Sequence, residues 1–194
     1  MNEQSNANNT LLGDGDKVLI GTIGYHNLRN HSIGPALLPQ LQKINWPDGV
    51  DLEEMNWGPI AIVQKFQSLQ VPYRRVIFLA AIERPGRKIG EIDIFKWMGR
   101  LPDEEMIQAC IGDAVTGVIS SENLLIIGEH FKIWPDEVYL VDVEPGPEEA
   151  GSEFTPEINK IIPDIISAIH TLATTNRPEL INFKLLYGDA LMNT

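Results

Sequence analysis

Apolar residues in this chain fall into short continuous runs, separated by stretches where they recur every three or four positions. Val18-Leu19-Ile20 and Val76 to Ile82 are too short for core helices and rich in β-branched and aromatic side chains, which predicts strands over 17–23 and 75–82. The second run is the most hydrophobic in the chain and suits a central parallel strand covered on both faces. Glu137 to Val143 predicts a further strand, and so does Gly49 to Met55, with Val50 and Leu52 turned inward. Ile89 to Trp97 alternates as a hairpin or edge strand does.

Helical spacing fills the intervals. Ile33, Leu37, Leu38 and Leu41 share a face after Ser32, with Pro35 tolerated in the first turn. Ile60, Ile62, Val63, Phe66 and Leu69 follow the same rule. Pro102-Asp-Glu-Glu opens a short helix through Ala109, its carboxylates at the positive end of the dipole, whereas Cys110 to Ile119 fits no single pattern. Ser120 or Ser121 caps a helix over Glu122 to Phe131. Thr155-Pro156-Glu157 starts a long helix with Ile158, Ile161, Ile162, Ile165, Ile166, Ile169 and Leu172 as its apolar stripe, and Pro163 is expected to kink it.

Strands alternating with amphipathic helices predict a three-layer α/β/α domain with a mostly parallel, twisted sheet. Residues 1–14 are polar and carry almost nothing to bury, so they read as an arm; 15–174 read as the domain and 175–194 as an extension packed on it. Glu144 to Glu157 carries five acidic residues and no basic one, which predicts a solvated loop. In open α/β sheets ligands gather beyond the carboxyl ends of the strands, so Gly21 to Ile33 is the first place to look for a site.

Charge and cysteine content narrow the function. Fifteen Lys and Arg against 27 Asp and Glu give a net charge of −12, which repels phosphate backbones and anionic membranes; no nucleic-acid or membrane partner is expected. Cys110 is the single cysteine, so an intramolecular disulfide and a cysteine metal cluster are excluded, as suits a reducing compartment. The opening residues lack a basic n-region and an apolar core, and no run approaches the roughly 18 apolar residues of a membrane span. A cytoplasmic protein is expected.

Over about residues 16–173 the order of elements and loop motifs resembles the hydrogenase maturation proteases, endopeptidases that clip the C-terminal tail of a nickel-iron hydrogenase large subunit. Val18-Leu-Ile-Gly-Thr-Ile-Gly24 matches their first strand and loop, and Arg29-Asn-His-Ser-Ile-Gly34 stands where they carry an acidic pair before glycine. Asn56-Trp-Gly-Pro59 stands where they carry D-G-G-T, and Val143-Glu-Pro145 resembles their late strand exit. The resemblance implies a phosphorylase/hydrolase-like α/β/α fold. It also implies three side chains, an acid, an aspartate and a histidine, around nickel or a surrogate such as zinc. This chain has His31 at the first of those positions and Asn56 at the second. The third falls near Ala114 or Gly117, where Asp113 and Glu122 are the nearby carboxylates. A neutral amide is a poor ligand for borderline metals, so the set His31, Asn56, Asp113 and Glu122 implies a degenerate metal site. Gly24, His26, Asn30 and Trp57 are the candidate cleft residues.

Each of these also has an ordinary structural role open to it. His31 can hydrogen-bond within a loop, Asn56 and Trp57 can close a turn, and Cys110 suits a buried inert thiol. The glycines lack the dinucleotide fingerprint and a P-loop lysine. Two functions follow: a protein that holds a partner's tail in the strand-end cleft without cutting it, and an active metal-dependent endopeptidase acting on a hydrogenase large subunit. His31 and Asn56 are expected on neighbouring strand-end loops of one cleft.

Overall fold

The apolar runs become the centre of one six-stranded sheet, β1 (Val18–Thr22), β2 (Val50–Glu54), β3 (Arg75–Ala81), β4 (Ile92–Trp97), β5 (Glu137–Val143) and β6 (Lys184–Leu186). The computed structural model describes residues 16–117 and 120–189, so the polar arm at 1–14 lies outside the described residues. The strand order is β2-β1-β3-β5-β4-β6. β1, β2, β3 and β5 are mutually parallel, and β4 runs antiparallel to β5. Every residue of β1, and Arg75 to Ala80 of β3, is buried, as continuous apolar strands require when both faces are covered.

Helices supply that cover in two layers. α1 (Ile33–Leu41) and α5 (Pro156–Thr174) pack on one face, where Leu37, Leu41, Ile158, Ile165 and Ile169 meet Val18, Ile20, Ile77 and Val141. α2 (Pro59–Ser68), α3 (Glu104–Thr116) and α4 (Ser121–His130) cover the other, where Ile62, Phe66 and Leu124 to Ile127 meet Leu19, Phe78 and Leu140. Among the described residues no single helix is long and apolar enough to cross a membrane.

Several boundaries differ from the sequence reading. α3 runs through Cys110 to Thr116, because the Asp103 side chain caps its start by accepting from the Met106 N–H at 2.9 Å and Gly117, at φ 87°, stops it. Pro163 lies within α5 on its solvent face, and the helix continues past it. The alternating segment at Ile92–Trp97 is an interior strand, since β6 from the C-terminal extension pairs with it in parallel. Of the acidic segment, Pro147 to Ala150 are exposed as expected, but Glu144 to Gly146 are buried against the domain.

Gly34 sets how closely α1 approaches the end of β1. A Cβ there would press on the Ile23 carbonyl, with the Ile23 N and C atoms at 3.0 Å, and backbone cannot yield as a flexible side chain does. Gly34→Ala is therefore expected to cost about 1–3 kcal/mol in urea unfolding.

Candidate functional site

The chain leaves β1 through α1 on one face and returns from β2 through α2 on the other, so the crossovers diverge between β1 and β3. A crevice forms at such a point, beyond the carboxyl ends of the strands. It is occupied here by a pocket of about 310 Å³. Ile23, Ala80, Ala81 and Ile82 give it apolar walls from the two strand ends, and Tyr25 stands at it 45% exposed. Ser120, Ser121 and Glu122 contribute the start of α4, and Glu148 comes from the acidic loop.

His31, Gly24 and Glu122, three residues singled out in the sequence, line this pocket. His31 lies in a short 3-10 turn (Arg29–Ser32) and is tied to the acidic loop. Its Nε2 lies 2.9 Å from the Gly146 carbonyl oxygen, which can only accept, so Nε2 carries the proton and Nδ1 is left for any ligand. A Glu83 carboxylate oxygen lies 3.4 Å from the same Nε2. Asn30, buried, braces the two loops together: its Nδ2 donates to the Pro145 carbonyl at 2.8 Å, and its Oδ1 accepts from the Thr155 N–H at 3.0 Å.

The other candidates stand outside the pocket lining. Asn56 follows β2 and closes the neighbouring loop: its Oδ1 accepts from the Gly24 N–H at 2.9 Å and its Nδ2 donates to Glu54 at 2.7 Å. Gly24 thus sits between Asn56 and His31, whose carbonyl oxygen a Gly24 Cβ would approach to 3.0 Å. His26 pairs with the same Glu54 oxygen at 2.9 Å, and the Trp57 indole N–H donates to the Glu54 carbonyl at 2.9 Å. Asp113 lies on α3 and accepts from Asn123 at 3.3 Å. Burial pushes the Cys110 thiol up from its ordinary value, with Asp113 adding to the shift, which leaves it unreactive.

Sequence reasoning missed the charged residues that follow β3. Glu83 lines the pocket, and the Arg84 guanidinium contacts another lining residue, Glu122. Arg84 Nε donates to Asp142 at 2.6 Å, Nη2 lies 3.4 Å from Glu122, and the backbone N–H donates to Glu144 at 2.8 Å. Arg87 Nη1 donates to the other Asp142 oxygen at 2.6 Å. Asp142 is fully buried; burial pushes its carboxyl up, and the two guanidiniums oppose that shift. The available signal was the Glu-Arg-Pro-Gly-Arg-Lys turn placed directly after the most buried strand.

These donors do not fit a divalent metal. Among the described residues no three His, Cys, Asp or Glu side chains gather as a metal set. Glu83 approaches His31 on its protonated Nε2 side, so it cannot share with His31 an ion bound at Nδ1. Glu122 faces a guanidinium, whose fixed positive charge repels a second cation.

No protein-family model matches the chain, and no curated protein sequence matches it. Solved structures do. The hydrogenase maturating endopeptidase HybD from E. coli superposes with a TM-score of 0.58 at 19% identity, covering 79% of this chain and 89% of that one. The [NiFe] hydrogenase maturation protease HycI from Thermococcus kodakarensis KOD1 gives 0.56 at 20% identity, covering 85% and 97%. A hydrogenase 2 maturation peptidase from Thaumarchaeota archaeon SCGC_AB-539-E09 gives 0.53 at 19%, covering 79% and 95%. A six-stranded, mostly parallel sheet with helices on both faces, matched across most of each chain, gives this protein the fold of the hydrogenase maturation proteases.

Proposed function

We propose that the strand-end pocket binds an extended tail of a protein partner and holds it without metal-dependent hydrolysis. The observation that carries this reading is the pairing of an open, apolar-walled crevice with a donor set already committed inside the protein: His31 to Gly146, Glu122 to Arg84, and Asn56 to Gly24. The solved structures of this fold are named as hydrogenase maturation peptidases, so the C-terminal segment of a nickel-iron hydrogenase large subunit is the first partner to test. The reading places both proteins in the cytoplasm, where the single thiol stays reduced.

The test is fluorescence anisotropy with a labelled peptide spanning that C-terminal segment, in chelator and then with nickel or zinc, followed by mass spectrometry. Saturable binding in chelator, an intact peptide after metal addition, and about tenfold weaker binding by Tyr25→Ala are expected, because an exposed aromatic at the pocket is a natural anchor. The second reading, an active endopeptidase, draws on His31 and Glu122 lining one pocket. Nickel- or zinc-dependent cleavage at one bond, lost on His31→Ala, would establish it instead.

A further inference from the structure

Glu83, Glu122 and Glu148 line the strand-end pocket together with His31, and no Lys or Arg is among the lining residues. Three carboxylates and an imidazole around about 310 Å³ create a field that attracts divalent cations. Among the described residues, a cation in contact with this lining is the guanidinium of Arg84, 3.4 Å from Glu122 and only 11% exposed. It cannot swing away. Asp142, with 0% side-chain exposure, holds Nε at 2.6 Å, the Phe95 ring lies under the guanidinium carbon at 5.0 Å, and the Arg84 backbone N–H is fixed by Glu144 at 2.8 Å. Arg87 shares Asp142 from its other oxygen, so the arrangement is braced on both sides.

Resting on the reading that the pocket works without metal, we propose that Arg84 determines the specificity of the pocket. Its immobile guanidinium stands in for a divalent cation, occupies the Glu122 carboxylate at the pocket wall, and so reserves the space for a non-metallic occupant. Arg84 acts through Glu122 and is a positioning residue. An arginine suits the task because it keeps its charge at every physiological pH and grips carboxylates along a planar fork. With the charge removed, Glu122 is released from its ion pair as a free carboxylate at the pocket, and a cation entering beside it no longer meets a fixed positive charge within a few ångströms.

The experiment is titration calorimetry with zinc and with nickel ions alone, on the native protein, Arg84→Gln, Arg84→Lys and the double variant Arg84→Gln with Glu122→Gln. Circular dichroism is recorded on each. Gln retains a donor for Asp142 while removing the charge, and Lys retains the charge. The expected result is stoichiometric binding by Arg84→Gln at least tenfold tighter than by the native protein and Arg84→Lys, with the gain lost in the double variant. A purely structural role for Arg84 predicts altered stability with no gained binding. A folded Arg84→Gln that binds no better than the native protein overturns the proposal, and so does a gain that survives Glu122→Gln. If Arg84→Gln does not fold, the contact that Arg84 makes with Glu122 is tested from the other side by Glu122→His in the native background: stoichiometric metal binding there, with Arg84 intact, equally overturns it. Tight binding by the native protein with metal-dependent peptide cleavage removes the non-hydrolytic reading instead, a result distinct from native non-binding with no gain in the variant.

Discussion

Arg75→Ala is expected to destabilise the folded protein by about 3–5 kcal/mol, the cost of removing one partner from a buried, hydrogen-bonded ion pair. Arg75 opens β3 and its side chain is fully buried. Nε donates to Glu137 at 2.7 Å, and Nη1 donates to the carbonyls of Leu172 and, at 2.9 Å, Thr175. Those carbonyls lie in the last turn of α5 and at the residue that caps it, and the helix otherwise ends with no basic residue to answer the negative pole of its dipole. The arginine therefore joins the sheet to the end of the longest helix. Losing it leaves Glu137 with the longer contact to Arg74 at 3.9 Å, removes a donor from two carbonyl groups and leaves a cavity. Urea unfolding measures the loss. Arg75→Lys should recover only part of it, because an ammonium cannot serve the carboxylate and both carbonyls from one planar fork. A loss below about 1 kcal/mol would show that the pair is no better than a surface bridge.

Asp142→Asn should cost about 3 kcal/mol for a related reason. The carboxylate sits between Arg84 and Arg87, at 2.6 Å from each. An amide of nearly the same shape fills the space but carries no charge, and two guanidiniums that are 11% and 8% exposed are left facing each other. Arg84 keeps Glu122, so its loss is softened, whereas Arg87 keeps only Asp93 at 3.6 Å and backbone carbonyls. Urea unfolding should show a lower midpoint at unchanged slope, since the surface exposed on unfolding is the same. A midpoint matching the native protein would mean that the two arginines do not depend on Asp142.

Local pattern carried the architecture. Strands β1, β3 and β5 were legible because burial on both faces leaves a continuous apolar run, and α5 because one face of a helix meets the sheet every three or four residues. The start of α4 was legible too, since Ser120 accepts from the Asn123 N–H at 3.0 Å as a capping serine should. Resemblance in element order anticipated the fold that the solved structures share. β4 was misplaced because alternation reports one covered face and says nothing about a neighbour: the partner that makes it interior, β6, is three residues long and carries no pattern of its own.

The site divided the same way. His31, Gly24 and Glu122 stood out as residue types in telling places, and all three line the pocket. Their chemistry was set by partners remote in the chain, Gly146 lying 115 residues from His31, Asp142 58 from Arg84, and Arg84 38 from Glu122. Hydrogen bonds and charges act over a few ångströms, so they depend on which strand ends the topology brings together, whereas hydrophobic periodicity is written residue by residue along the chain. The sequence by itself thus determined a parallel α/β sheet with a crevice beyond its strand ends. Only the tertiary structure decided that the cation against that crevice is an arginine, because Arg84, Asp142 and Glu122 become neighbours only once β3, β5 and α4 have packed.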